Sequence, residues 1–410
     1  MTTIEDVAII GAGLSGLTLA LALHSQSIPC TVYEGRSAPE DIGGAIVLSP
    51  NALQILDTLA IYPSIKHEGY ECETVVFRTQ DDQIIDAYEI GNEEKYGYKA
   101  LRIYRHIIIR ELLRRLSENH IPVHYGKKFL RICAETESQV TWEFSDGSTG
   151  RAGSVVGADG IHSRVRQYLY PQVKPRFLGI VAVAATVPSC LVDIPRGYHL
   201  PAIIMSPTHP GYIIGSQHPD ASEVMLGRQA RSVELDRDGW DALIADTRWC
   251  IDFLSDGAEG FPPVIRSTVA HIRSDRLNVW PFYVVPRLDG WASDRGRVTI
   301  LGDAAHAIPP SSGQGANQVF EDVWTYALVR GRGGGAPSGP ALRKWSRGRQ
   351  ERIDQLLGFA EEMNRRRMIN TSSVEKTYTT CSMTEYLDLE WVFTPDYPQM
   401  VQDWLESSGP

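Results

Sequence analysis

Val7-Ala8-Ile9-Ile10-Gly11-Ala12-Gly13-Leu14-Ser15-Gly16, running on into Leu17-Thr18-Leu19-Ala20-Leu21-Ala22-Leu23, is the stretch that decides the fold. Val7 to Ile10 are apolar, three of them β-branched, and glycine stops them, which reads as a buried strand. The run after Gly16 reads as a helix. At the joint, Gly11 permits the tight turn, Gly13 lets the main chain approach a pyrophosphate, and Gly16 lets helix and strand pack closely. Leu14 and Ser15 complete this G-x-G-x-x-G, and the free N–H groups of the helix start face the phosphates. A second strand, Cys30-Thr31-Val32-Tyr33, ends on Glu34, 18 residues beyond Gly16. An acid there accepts hydrogen bonds from the ribose of an adenine dinucleotide. The fingerprint alone does not separate FAD from NAD.

The rest of the chain is ordinary globular material. Its 410 residues are 43% hydrophobic and 22% charged, which excludes disorder, collagen and coiled coil. The net charge of -10 has the wrong sign for a nucleic-acid binder. Six cysteines form no CxxC pair or His/Cys cluster, so no metal site is expected and a reducing, cytoplasmic setting fits. The apolar run Val7 to Leu23 is interrupted by three glycines and preceded by no Lys or Arg, so neither a signal peptide nor a membrane span is expected.

Three later stretches extend the nucleotide site. Gly43-Gly44, before the strand Ala45 to Leu48 and a helix from Pro50, could be a plain turn or a close approach to a flat ligand. Tyr104 to Leu116 has a one-sided apolar pattern and reads as a helix, with Arg105 in its first turn. A cation is disfavoured there by the helix dipole, so either an anionic partner or solvent accounts for it. Gly157-Ala158-Asp159-Gly160-Ile161-His162-Ser163-Arg164-Val165-Arg166 is a strand end, an acid and a basic helix start, in which Arg164 or Arg166 could meet phosphate. Leu301-Gly302-Asp303-Ala304-Ala305-His306 through Pro310, Gly313, Gly315, Ala316 and Asn317 is a second strand-to-acid element that flows into a glycine-rich helix start. Its free N–H groups suit the anionic edge of a reduced isoalloxazine.

With these motifs in this order, residues 4 to 355 resemble the single-component FAD-dependent monooxygenases of the para-hydroxybenzoate and salicylate hydroxylase type. Within that family the chain is most similar to fungal enzymes of secondary metabolism. The resemblance implies an α/β fold: a Rossmann-like FAD-binding domain from 1–72, 99–175 and 286–335, an interleaved antiparallel substrate sheet from 73–98 and 176–285, and a C-terminal helical segment from 336–410. It implies that Glu34 and Arg36 meet the adenosine and ribose, Arg105 the pyrophosphate, and Asp159 a point shared by FAD and the nicotinamide. Asp303 matches the ribityl and pyrophosphate contact, with Gly302, Pro310 and Gly313 around it. Gly315, Ala316 and Asn317 match the pyrimidine edge of the flavin, and Gly43 and Gly44 the loop beside its moving ring. His306 matches a structural position.

The implied activity uses NADPH or NADH and O2 to place one oxygen atom, through a flavin C4a-hydroperoxide, on an electron-rich aromatic, polyketide or alkaloid intermediate. Epoxidation by the same chemistry and a non-catalytic binding protein on the same scaffold stay open. The halogenase signature W-x-W-x-I-P is absent. The expected partner is a small-molecule substrate, and the expected state a monomer or homodimer. Beyond Arg105, residue type and strand position nominate Tyr212, His218, Arg228 and Tyr283 for the substrate pocket, and Trp280-Pro281-Phe282-Tyr283 is the preferred segment.

Overall fold

Val7–Ile10 is the middle strand of a five-stranded sheet ordered Val298–Ile300, Ser154–Gly157, Val7–Ile10, Cys30–Tyr33, Val123–His124. Every neighbouring pair is parallel. The computed structural model describes residues 6–39, 44–332, 339–367 and 389–407, and Gly43 lies outside them. A parallel sheet is covered on both faces, which is why its strands read as unbroken apolar runs. Helix Leu14–Ser25 lies between the sheet and the helices Arg105–Glu118 and Gly315–Gly331. Its residues from Gly16 to Leu23 are buried, as an all-round apolar helix requires. Tyr33 packs on Trp142 and Phe144 of a small antiparallel sheet formed by Phe129–Glu135, Val140–Phe144 and Thr149–Ala152.

A second, seven-stranded sheet runs Leu277–Val284, Arg176–Pro188, Glu223–Arg231, Tyr212–Ser216, Ala202–Met205, Thr74–Thr79, Ile84–Glu89. It is mixed rather than wholly antiparallel, because Ala202–Met205 lies parallel to Thr74–Thr79. The nucleotide-binding chain from Ala100–Tyr104 to Ser154–Gly157 intervenes between the two strands, so no hairpin dictates their direction. One face carries Val183, Ala185, Ile214, Val224 and Leu226 against the helices Thr247–Ser255 and Pro263–Ala270. The other face looks back toward the nucleotide-binding part. Three antiparallel strands, Ala45–Leu48, Ala100–Tyr104 and Tyr70–Cys72, lie between the two large sheets in sequence and contact. Leu101 and Ile103 enter the main core, which leaves Arg102 and Tyr104 for the opposite side of their strand.

The C-terminal helix Gly339–Arg367 packs along Gly315–Gly331, with Trp345 buried against Trp291 and Tyr326. Helix Arg105–Glu118 begins one residue later than expected, since Tyr104 is still extended. Two short helices, Glu390–Phe393 and Tyr397–Glu406, follow, and the second turns the helically spaced Tyr397, Met400, Val401, Trp404 and Leu405 to the main core.

Candidate active site

The ends of the parallel strands and the inner face of the seven-stranded sheet enclose one cavity of ≈ 660 Å³. On the nucleotide side the main chain does the shaping. Gly11 has φ +109°, and a Cβ there would sit 2.4 Å from the Ala158 carbonyl oxygen. A Cβ on Gly16 would fall 1.9 Å from the Gly11 carbonyl oxygen, whereas one on Gly13 would meet nothing within 4 Å. The first two glycines hold the turn together, and the third opens it to the cavity. Glu34 accepts from the Ala12 amide at 2.8 Å and the Arg36 amide at 2.9 Å, so its carboxylate is fixed against the glycine turn.

Arg105 and Asp303 both line the cavity and influence each other electrostatically. Burial pushes the Asp303 carboxyl above the usual range although its side chain is open to the cavity, and His306 and Arg105 pull the other way. Burial lowers the Arg105 guanidinium, whose Nε has no partner among the described residues. Asp159 stands behind the wall: Oδ2 accepts from the amides of Arg164 at 2.7 Å and Val165 at 3.3 Å, and Oδ1 is buried without a partner among the described residues. Burial is also what raises its pKa. Arg166, nominated for phosphate, is committed elsewhere, since it donates to the carbonyls of Ala304 and Ile161 at 2.9 and 2.6 Å and so braces the Asp303 turn. Arg164 is exposed.

The loop from Gly302 to Gly315 is held from below by a buried polar cluster. Asp322 accepts from the Gly302 amide at 2.8 Å, from His306 Nε2 at 2.5 Å and from Arg349 Nε at 2.8 Å. Glu321 accepts from Arg349 and Arg352, each at 2.6 Å, and from Asn51 at 2.6 Å. Burial alone would raise both carboxyls, but the guanidiniums around Glu321, and His306 with Arg349 around Asp322, hold them below their ordinary values. Asn317 ties the helix start to strand Ala45–Leu48 by accepting from the Ser49 amide and donating to the Val47 and Gly313 carbonyls. His306 sits under this loop, its ring tilted at 33° to that of Trp291 with centroids 4.9 Å apart.

Of the sequence-nominated cofactor residues, Gly13, Leu14, Ser15, Glu34, Arg36, Gly44, Arg105, Asp303, Pro310, Gly313, Gly315 and Ala316 line the cavity. Gly11, Gly16, Asp159, Gly302 and Asn317 stand just behind it, shaping the turns and the loop.

The substrate-side nominations fare differently. Tyr212 and Arg228 border the cavity, but their polar ends turn to the far face of the sheet. The Tyr212 hydroxyl donates to the Leu254 carbonyl at 2.6 Å, and its ring packs on Phe261. Arg228 donates to the carbonyls of Pro210, Phe253 and Asp256. Tyr283 accepts from Trp240 Nε1 at 3.0 Å and packs on Phe177, outside the cavity, and His218 is exposed. Strand pleating explains the displacement: neighbours of opposite parity, Ile213, Gly227, Trp280 and Phe282, face the cavity instead. Trp280 is left 38% exposed there, and a Cβ on Gly44 would lie 4.0 Å from its ring. Sequence reading passed over Arg102 and Gln217, which also line the cavity. Alternation with the buried Leu101 and Ile103 was the available signal for Arg102.

A parallel sheet with this glycine turn, sharing a cavity with a mixed sheet, defines a dinucleotide-binding protein. The chain belongs to the FAD binding domain family, whose pattern matches residues 5–226 and 284–330. It is 30% identical over 356 residues to the 3-amino-4-hydroxybenzoate 2-monooxygenase PtmB3 of Streptomyces platensis, covering 85% of each chain. It is 28% identical to the 6-methylsalicylate 1-monooxygenase atA of Aspergillus terreus, covering 78% of this chain and 73% of that one. Klebsiella pneumoniae HpxO, solved with FAD and uric acid, superposes with a TM-score of 0.74 at 21% identity, covering 100% of this chain and 98% of that one. The protein is an FAD-dependent monooxygenase with the hydroxybenzoate-hydroxylase type of fold. Its cavity fits the cofactor on its own terms: the space at Gly13, the ribose-type acceptor Glu34 and the unpartnered Nε of Arg105 match a pyrophosphate-linked dinucleotide. Among the described residues no His/Cys/Asp/Glu group could hold a metal ion, and no helix is long and apolar enough to cross a membrane.

Proposed function

We propose that the enzyme hydroxylates an electron-rich aromatic compound, either a hydroxybenzoate or a phenolic natural-product intermediate. FAD supplies the redox and oxygen-activating chemistry, with NADPH or NADH as reductant. The balance is one O2, one NAD(P)H and one proton consumed, with one oxygen atom entering the substrate, the other leaving as water, and NAD(P)+ formed. The observation that carries this reading is the shared cavity: the glycine turn and the loop ending at Gly315 meet the aromatic wall of Trp280 and Phe282 without a partition.

In this reading Glu34 and Arg36 take the adenosine end, Arg105 the pyrophosphate, and Asp303 the ribityl chain. The amides at Gly315 and Ala316 face the pyrimidine edge, where negative charge is stabilised by a helix start. The apolar wall excludes water, so activated oxygen reaches carbon rather than being lost as H2O2. The two relatives whose names specify aminohydroxybenzoate and methylsalicylate support the substrate class.

The test is to purify the protein, record flavin absorbance, and follow NADPH and NADH oxidation with 3-amino-4-hydroxybenzoate, 6-methylsalicylate and a phenolic polyketide panel. Coupled turnover that incorporates one atom of labelled oxygen into the ring is expected. Colourless protein that cannot be loaded with FAD, or substrate-independent oxidation throughout, overturns the proposal.

A further inference from the structure

Arg102 is a cation in the substrate part of the cavity that the cofactor wall does not use. It stands on strand Ala100–Tyr104 and lines the cavity. Of the five donors of a guanidinium, one is engaged: Nη2 donates to Gln217 Oε1 at 3.1 Å. Its Nε is buried without a partner, and no carboxylate pairs with it among the described residues. The groups that favour its charge are Cys72 and Tyr104, a thiol and a phenol that burial keeps protonated.

Gln217 cannot turn away from Arg102. Its Nε2 donates to Tyr104 Oη at 3.0 Å and to Thr186 Oγ1 at 2.9 Å, and Tyr104 Oη donates to Glu223 at 2.6 Å. Each donor in this chain points away from Arg102 toward Glu223, which fixes the amide with its oxygen on the guanidinium. The result is an oriented cation whose free N–H groups are left over in a largely apolar chamber. A desolvated charge without a counter-charge is costly, and an arriving anion removes that cost. The planar fork suits a carboxylate or an aryl oxide.

We propose that Arg102, positioned by Gln217, is the anion anchor of the substrate chamber, so that the enzyme selects aromatic anions over their neutral counterparts. This rests on the reading of the cavity's sheet side as the substrate chamber. It adds the charge of the substrate and the residue that reads it.

The experiment is equilibrium binding to the FAD-loaded enzyme, followed by flavin and tryptophan fluorescence, so that it does not depend on turnover. One arm compares 3-amino-4-hydroxybenzoate with 3-amino-4-hydroxybenzamide, which tests a carboxylate. The other compares 4-nitrophenol at pH values on either side of its own ionisation, which tests an aryl oxide. In at least one arm the anion is expected to bind about tenfold or more tighter than its neutral form, and Arg102→Gln to abolish that preference while leaving the neutral form's Kd within about twofold. Arg102→Lys, which keeps charge but loses the fork, is expected to fall between. Flavin absorbance and the thermal unfolding midpoint check that each variant is folded and loaded. Should Arg102→Gln not fold, the wild-type comparison and Arg102→Lys decide. Equal binding of anion and neutral form in both arms by the wild type overturns the proposal, as does an undiminished preference in Arg102→Gln or a loss of FAD in its place. Anion selectivity without any oxygen insertion would instead count against the proposed reaction alone.

Discussion

The two walls of the cavity are built on different principles. On the nucleotide side the shape comes from main chain, in turns where glycine alone fits and at helix starts with free amides. On the sheet side it comes from side chains selected by the period-two alternation of strands, with Trp280 and Phe282 toward the cavity and Tyr212 and Arg228 away from it. A wall of main chain can be specified by a short motif and reused for one cofactor. A wall of side chains can be rewritten one residue at a time to suit a new substrate, while its outer face goes on holding the sheet together.

The contrast can be broken most severely at Gly16. Gly16→Ala places a Cβ against the Gly11 carbonyl oxygen and should lower FAD affinity at least about tenfold, seen as lost flavin absorbance after gel filtration. Retained yellow colour would show that the turn tolerates a side chain after all. Next in size is the polar cluster beneath the loop. Arg349→Met takes away one of the two guanidiniums on Glu321 and the one on Asp322, two acids with no exposed side-chain surface, and should cost about 3–5 kcal/mol of stability by denaturant unfolding.

The same cluster sets an acid limit. Both carboxyls are held below their ordinary values of 4.5 and 3.8, so the folded chain binds these protons less tightly than the unfolded one. Their contribution is full above about 4.5 and declines as pH falls through that value toward the depressed folded pKa values. In the Arg349→Met variant that part of the acid dependence should flatten or reverse.

Asp303→Ala should weaken FAD binding about five- to tenfold, measured by flavin titration of the apoprotein, without loss of fold. A last pair of variants separates the two faces of the seven-stranded sheet, and the smaller effect belongs to Tyr212. Trp280→Ala should raise the KM for an aromatic substrate about tenfold, through lost stacking worth about 0.5–1.5 kcal/mol and lost apolar area. Tyr212→Phe should leave kcat and KM within about twofold and cost about 1 kcal/mol of stability through its bond to Leu254. A kinetic defect in Tyr212→Phe with an intact fold would restore it to the pocket.

What could be read from sequence follows the same division. The glycine turn, Glu34, Arg105 and the Gly302 to Asn317 loop announce themselves because their geometry admits few residue types, and they surround one cavity. Tyr212, Arg228 and Tyr283 were nominated by residue type, yet a one-residue change of parity moves a side chain to the other side of a sheet. Val183, Ala185 and Val187 do alternate with Ala182, Ala184 and Thr186, but both sets are small or apolar enough that the sequence does not say which faces a ligand. The relay from Arg102 to Glu223 joins strand Ala100–Tyr104 to the turn between Tyr212–Ser216 and Glu223–Arg231, and no local pattern marks it.

The cluster of Glu321 and Asp322 with Arg349 and Arg352 also has a bearing on biosynthesis. The two acids leave the ribosome before the two arginines that neutralise them. Until helix Gly339–Arg367 emerges, the two acids under this loop lack both guanidiniums. A nascent chain can therefore complete the support beneath this loop only after helix Gly339–Arg367 has emerged.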